Sequence, residues 1–495
     1  MNDVRIAIIG AGFSGLGMAI RLRQAGIDDF VVLEREHEVG GTWWVNSYPG
    51  CQCDIPSHLY SFSFAPNPNW SRTYSPQEEI QRYLHECVDR FGVGSKIRLG
   101  CDVTAAEWDE VDRRWRLETS AGPFRAQILV TGAGALSVPS RPSLPGLDDF
   151  EGATFHSSQW DHGAELDGSR VAVIGTGASA IQLVPEIQPR VERLHLFQRT
   201  APWVFPRTDR PISNAERWLY RRVPLAQRLV RGAVYANFES RAVAMTVDTR
   251  LLKPFQAIAR RHLHRQVEDP ELRAKLEPTY LIGCKRILVS NDYYPALTQA
   301  NAEVVTDPIR AVTRSGIVTA DGTERELDAI VFATGFKVAE WPTLGFVRGR
   351  EGARLADVWH ERGAQAYLGT AIAGFPNMFS LLGPGTALGH NSVVYMIESQ
   401  IAYVLDCLRV MDERSLAAVE VEPAVQAAYD AEIQARLKNT VWASGCASWY
   451  LHPSGRNPTI WPSFTFSFRR RTRRFDPSDY RLEAAHAPRP APVAA

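Results

Sequence analysis

The chain lacks a charge excess of either sign: 55 Lys and Arg balance 55 Asp and Glu across 495 residues. A nucleic-acid partner, which would call for a basic field, is therefore not expected. It also lacks an apolar run approaching the ~18 residues that span a bilayer, so no integral membrane segment is expected. Cysteine is scarce, and the seven present, Cys51, Cys53, Cys87, Cys101, Cys284, Cys407 and Cys446, are odd in number and scattered. Cys51 and Cys53 stand one residue apart, which fits neither a redox pair nor a zinc knuckle. Reduced thiols, a cytoplasmic setting and no metal site are the expectation. No charged and apolar leader precedes "VRIAIIGAGFSG", so no signal peptide is expected.

What is present is ordinary in bulk and specific in detail. Hydrophobic residues make up 45% and charged residues 22%, as in soluble globular proteins. The length asks for two or three domains. "VRIAIIG" reads as a buried parallel strand, "LGMAIRLRQAG" as a helix stopped at Gly26, and "FVVLERE" as a second strand. The same βαβ grammar returns at "SRVAVIGTGASAIQLVPEI" and "VERLHLFQRT". The fold class expected is therefore α/β with two Rossmann-like dinucleotide-binding domains.

Each unit carries a glycine turn between strand and helix. In the first, Gly10 permits the tight turn, Gly12 lets a pyrophosphate approach the backbone, and Gly15 lets helix and strand pack closely. The pyrophosphate would meet free N–H groups at the helix N-terminus. Glu34 ends the next strand, placed to bind a ribose diol and to repel a 2′-phosphate. FAD or NAD is expected there. The second turn is Gly175-x-Gly177-x-x-Ala180, and the matching strand-end position holds Arg199 followed by Thr200. A guanidinium in place of the acid converts a diol site into a 2′-phosphate site, so NADP is expected.

Residues 201–280 are Arg-rich and show no strand-like run, which suggests a helical insertion. A solvated face is the plainer account of its charge; peripheral contact with anionic lipid is the sharper one. "GIVTADGTERELDAIVFATGF" reads as a hairpin turning at Asp321-Gly322, then a buried strand. "FPNMFSLLGPG", continuing through "YMIESQ", reads as strand, turn and long helix. The division expected is a first FAD-binding part (1–145), a linker (146–165), an NADP-binding domain (166–330), a second FAD-binding part (331–480) and a disordered tail (481–495).

Two longer patterns then stand out. "FEGATFHSSQWD" supplies Phe150, Gly152, His156, Trp160 and Asp161, and "GGTWWVNSYPGCQCD" supplies Gly40, Gly41, Trp43, Tyr48, Pro49, Gly50 and Asp54. With these the chain resembles, over nearly its whole length, the type I Baeyer–Villiger monooxygenases among the two-domain flavin monooxygenases. The resemblance implies FAD and NADPH as cofactors, and a ketone and molecular oxygen as substrates. One oxygen atom would be inserted beside the carbonyl through a flavin peroxyanion, giving an ester or lactone. It implies catalytic roles for Arg286, stabilising negative charge, for Asp54, orienting it, and for His156, a coupling residue in the linker. It implies cofactor contacts at Ser14, Thr42, Trp43, Asp54, Tyr60 and Val103, at Ala178, Ser179, Gln182, Arg199, Thr200 and Lys285, and at Thr334 and Gly335 where the chain returns. Trp449, Asn391 and Val393 are the implied substrate-pocket residues.

Three rivals share parts of this pattern. An N- or S-oxygenating flavin monooxygenase would use the same cofactors, but Trp160-Asp161 and Arg286 argue against it. A disulfide or quinone reductase wants a closely spaced redox pair that Cys51-x-Cys53 does not provide. A nucleotide sensor would have no use for Arg199 and Lys285.

Overall fold

The structure is a computed structural model that describes residues 2–338, 341–360, 363–446 and 448–485. Its first strand, Asn2–Ile9, is buried over its last four residues, and the helix Phe13–Gln24 carries the chain to the fully buried strand Phe30–Leu33. Side chains covered on both faces explain why these strands read as unbroken apolar runs. They form the centre of an eight-stranded sheet ordered Val347–Arg348, Val103–Asp109, Arg114–Thr119, Phe124–Thr131, Asn2–Ile9, Phe30–Leu33 and Ile97–Arg98. The eighth strand, Met378–Ser380, pairs in parallel with Phe124–Thr131 after the chain has left and returned. Ile8, Val32 and Val130 are fully buried, each contributing about 1.5–3 kcal/mol.

The second sheet is all-parallel, ordered Ala302–Val305, Arg193–Phe197, Arg170–Ile174, Ala329–Phe332 and Ala153–His156. Its last strand is cut from the "FEGATFHSSQWD" stretch. Gly152 is required there, because a Cβ would stand 2.4 Å from the Asp328 carbonyl oxygen. Phe155 is buried and stacks edge-on against Trp160, with ring centroids 4.9 Å apart. The hairpin Gly316–Thr319 and Glu324–Glu326 falls where the Asp321-Gly322 turn puts it.

The two sheets are joined by adjacent crossings. Ser140 N–H donates to the Gly335 carbonyl (2.8 Å), and Lys337 N–H donates to that of Val138 (3.0 Å). The Thr334 hydroxyl adds a bond to the Ser140 carbonyl. The outbound and returning chains therefore run as one ribbon.

The basic segment is helical, as its composition suggests: Asn214–Arg222, Pro224–Thr246, Leu252–Gln266 and Pro270–Leu276. Ser213 starts it with a reciprocal cap, its hydroxyl accepting from Glu216 N–H while the Glu216 carboxylate accepts from Ser213 N–H. Its inner side chains Phe238, Met245 and Leu252 share one apolar cluster with Leu16, Ile397 and Ile401 of the first sheet's helices. The second sheet's helix contributes to a separate cluster around Ile181 and Val184. Among the described residues, no helix is long and apolar enough to cross a membrane.

Three expectations need correcting. Val204–Phe205 forms a short strand with Leu288–Val289 inside a stretch that shows no strand-like run. Residues 481–484, expected in the tail, belong to the strand Tyr480–Ala484, antiparallel to Leu416–Val421. Tyr480 is buried there, and its hydroxyl bonds that of Tyr403 at 2.7 Å. The rest of the expected tail, 486–495, lies outside the described residues. Finally, the thiols are not all reduced: Cys284 and Cys446 form a disulfide, with Cα atoms 6.3 Å apart. Their sequence separation of 162 residues hides a pairing that only the tertiary fold creates.

Candidate active site

Both glycine turns open onto one cavity of about 1720 Å³ between the sheets. That is larger than the usual ~300–1,000 Å³ small-molecule pocket and suits two dinucleotides. Gly10 adopts φ +94°, and a Cβ on Gly15 would fall 1.8 Å from the Gly10 carbonyl oxygen, so neither position admits another residue without a shift. The helix that follows starts at Gly12 with no side-chain cap and no acid in its first turn. Its N–H groups are left for an anion. Ser14, Thr42, Trp43, Tyr60 and Val103 line the same space, and the Trp43 indole N–H donates to the Tyr60 hydroxyl at 3.2 Å. Glu34 is buried, accepting from the backbone N–H groups of Ala11 (2.5 Å) and Glu36 (3.0 Å). Burial pushes its carboxyl above the ordinary value. These residues fit an unphosphorylated adenosine diphosphate of the FAD kind.

Across the cavity, the helix Ala178–Ile187 likewise begins without a side-chain cap, and the space around Gly177 is open. Arg199, Thr200 and Lys285 line the wall here. Burial and the neighbouring Arg199 cation lower the Lys285 pKa from its ordinary value. Two repelling cations on one wall make a site for a phosphate dianion. The residues therefore fit NADP. Ala178, Ser179, Thr334 and Gly335 also face the cavity.

Gln182 lines it too, but its side chain is engaged elsewhere. Its Oε1 accepts from the Tyr48 hydroxyl (2.9 Å), and its Nε2 donates to the Gln52 carbonyl (3.0 Å). Gly50 has φ +77°, and a Cβ there would stand 2.6 Å from the Gln182 carbonyl oxygen. The "YPG" of the second long pattern is thus a clamp on the opposite domain's helix.

Between the two turns lies Arg286. Its Nε and one terminal nitrogen donate to Asp54 Oδ2 at 2.9 and 2.6 Å, and the other terminal nitrogen donates to the Leu388 carbonyl at 2.9 Å. Three of five N–H groups are thereby used, leaving two. Burial alone would lower the guanidinium pKa, but Asp54 outweighs it and holds the charge more firmly than usual. Leu388, Val393, Ser448, Trp449 and Tyr450 wall this part of the cavity, and Trp449 stays 45% exposed. Asn391 lines it as well, yet its amide donates to the buried Glu239 carboxylate at 2.5 Å. Glu239 also accepts from the Thr465 hydroxyl (2.8 Å). Burial would raise this carboxyl, but the His390 ring 3.6 Å away and donors from Thr465 and Asn391 hold it below its ordinary value.

His156 does not reach the cavity. It is fully buried, and its Nδ1 accepts from Ser158 N–H at 3.1 Å, which leaves the ring proton on Nε2. Burial first, then the Arg141 charge, push its pKa down to about 4, so the ring is neutral. Its edge meets the Phe336 ring on the returning crossing, with centroids 5.6 Å apart. The ring is not among the residues lining this cavity and packs on the ribbon between the sheets, where a coupling role in the linker would place it.

Sequence reasoning missed the Tyr48–Gln182 clamp, the Glu239 cluster and Tyr450. Only the first left a signal, since Tyr48 and Gly50 belong to a quoted pattern.

Two dinucleotide turns facing one cavity define a two-domain pyridine-nucleotide flavoprotein. In keeping with this, residues 7–250 match the pyridine nucleotide-disulphide oxidoreductase family. More specifically, the chain is 54% identical over 481 residues to a Baeyer-Villiger monooxygenase of Pseudomonas aeruginosa, covering 97% of this chain and 91% of that one. It is 50% identical over 496 residues to a Baeyer-Villiger monooxygenase of Streptomyces coelicolor, covering 99% and 94%. Among solved structures, cyclohexanone monooxygenase from Rhodococcus sp. Phi1 bound to NADP+ matches with a TM-score of 0.86 at 29% identity, covering 98% and 100%. A steroid monooxygenase bound to NADP matches with a TM-score of 0.86 at 31% identity, covering 98% and 100%. The chain belongs to the Baeyer–Villiger monooxygenase family.

Proposed function

We propose that this protein is a FAD-dependent, NADPH-consuming Baeyer–Villiger monooxygenase that inserts one atom of molecular oxygen beside a ketone carbonyl, giving an ester or lactone. The single observation that carries the reading is the Arg286–Asp54 pair, aimed into a cavity shared by both nucleotide turns. Bound FAD, reduced by NADPH, supplies the activated oxygen.

The chain's own residues do the rest. Gly12 and the first helix's N-terminus hold one pyrophosphate, and Glu34 selects its ribose. Arg199 and Lys285 select the 2′-phosphate of the other nucleotide. Arg286 offers its two remaining N–H groups to the negative charge that develops on oxygen during insertion. A guanidinium stays charged at every working pH, and such a donor is worth ~3–4 kcal/mol. Trp449 and the buried Tyr450 wall the ketone side. N- or S-oxygenation is not favoured, because a soft nucleophile has no need of a fixed cation there.

The test is to supply ketones, amines and sulfides side by side with 18O-labelled oxygen and to follow product by mass spectrometry. One labelled oxygen in an ester, formed in proportion to NADPH consumed, is expected. Label appearing only in amine oxides or sulfoxides would refute the assignment.

A further inference from the structure

The disulfide has no place in that chemistry. Neither Cys284 nor Cys446 lines the cavity, so the pair does not exchange electrons with a bound flavin. What it joins is informative. Cys284 is buried and lies two residues before Arg286, whereas Cys446 is half-buried and lies three residues before Trp449. Each follows a glycine with φ +91°, Gly283 and Gly445. Gly283 packs against Val441, where a Cβ would find side-chain carbons at 3.6 and 3.7 Å. The far end of the Trp449 loop is anchored by protein bonds, the Thr459 hydroxyl to the Tyr450 carbonyl (3.1 Å) and Gln434 Nε2 to the Asn457 carbonyl (2.9 Å). The near end, after the Ser444 bonds to Val441, is held by the disulfide.

We propose that Cys284 and Cys446 form a reversible dithiol–disulfide site that fixes or frees the Trp449–Tyr450 loop over Arg286. The oxidised pair ties the loop to the arginine segment, and the reduced pair releases its near end. The consequence for substrate rests on the reading of Trp449 as a substrate-facing residue. Oxidation is by hydrogen peroxide: both thiols lose a proton and together two electrons, the S–S bond forms, the O–O bond breaks, and two waters leave. Reduction is by a small or protein dithiol, whose thiolate attacks one sulfur and whose second thiol resolves the mixed disulfide, leaving the dithiol oxidised. Four of the five other thiols are poor competitors. Burial pushes Cys51 up to about 12 and Cys87 up to about 11, and it raises Cys53 and Cys407 well above the ordinary thiol value. They stay protonated and poorly nucleophilic.

The experiment uses the holoenzyme, treated with hydrogen peroxide or with dithiothreitol and then alkylated. Intact mass is expected to show two further alkylations after dithiothreitol, and peptide mapping to assign them to Cys284 and Cys446. Hydrogen exchange over residues 444–456 should rise at least several-fold on reduction, and KM for the ketone should rise with it. Cys446→Ser should match the reduced enzyme, ignore dithiothreitol, and consume NADPH without ketone at the wild-type rate. Seven alkylatable thiols after peroxide would overturn the proposal, as would a pair that forms while loop exchange is unchanged. Exchange that responds while KM does not would support the latch and overturn the substrate-facing reading of Trp449.

Discussion

Asp54→Asn is the sharpest test of how charge is handled in the cavity. The substitution keeps volume and one acceptor but removes the anion that both Nε and a terminal nitrogen of Arg286 share, at 2.9 and 2.6 Å. Breaking a fully buried pair costs ~3–5 kcal/mol. Here the side chains are 24% and 27% exposed, and the Leu388 carbonyl still holds one nitrogen, so about 2–3 kcal/mol is the expected loss, scaled down from that range. Felt in the oxygenation barrier, this amounts to roughly 100-fold, at ~1.4 kcal/mol per decade. The first half of the cycle should be spared, because Asp54 touches neither the first glycine turn nor the Arg199–Lys285 pair. The assay is therefore split. Anaerobic reduction by NADPH is followed by flavin absorbance and should change less than about threefold. Ester formed per NADPH under oxygen should collapse. Arg286→Ala and the double variant complete a cycle: if Asp54 acts through Arg286, the double variant is little worse than Arg286→Ala. Asp54→Asn with wild-type ester yield would refute the reasoning, and so would additive losses.

Other perturbations follow from the same geometry. Arg199→Ala removes one charge-assisted partner of a 2′-phosphate and should raise KM for NADPH about 10–100-fold, from ~1.5–3 kcal/mol per bond, while KM for NADH stays put. Equal effects on both nucleotides would show that Arg199 does not read the phosphate. His156 is neutral when folded, with its pKa pushed down to about 4 from 6.5. The unfolded chain therefore binds the extra proton, and the contribution is complete above about pH 6.5 and lost as pH falls toward 4. That loss is ~3 kcal/mol. His156→Asn, which keeps an acceptor for Ser158 N–H, should flatten denaturant stability between those limits; an unchanged slope would contradict the neutral buried ring. Gly50→Ala meets both a φ of +77° and the Gln182 carbonyl at 2.6 Å. Backbone strain of ~1–2 kcal/mol plus a displaced helix should weaken NADP+ binding by calorimetry and leave FAD content intact.

The nucleotide turns were legible because their chemistry is local: strand, glycines, helix and the Glu34 or Arg199 that follows lie within one stretch of chain. Arg286 and Asp54 were legible only through resemblance, since nothing in their separate neighbourhoods shows that they meet. The Cys284–Cys446 bond, the Tyr403–Tyr480 contact and the turning of Asn391 toward Glu239 were hidden for the same reason. Each depends on which distant surface arrives opposite, and that is decided by the packing of whole elements. Residues 480–484 show the rule from the other side. A short strand before a Pro/Ala-rich end carries little pattern of its own, and its order comes from Leu416–Val421.

The paired crossings carry a thermodynamic consequence. Because Ser140 and Gly335 are hydrogen-bonded neighbours, the second sheet's unit leaves and re-enters its host at almost one point. A disordered excursion of that length would charge the host domain the closure entropy of a very long loop. Folded, the inserted unit brings its own ends together, and the host's eight-stranded sheet meets only a short gap. Exchanging that unit for another with equally close ends would keep the host's strand connections, provided the newcomer replaces the core contacts of Phe238, Met245 and Leu252.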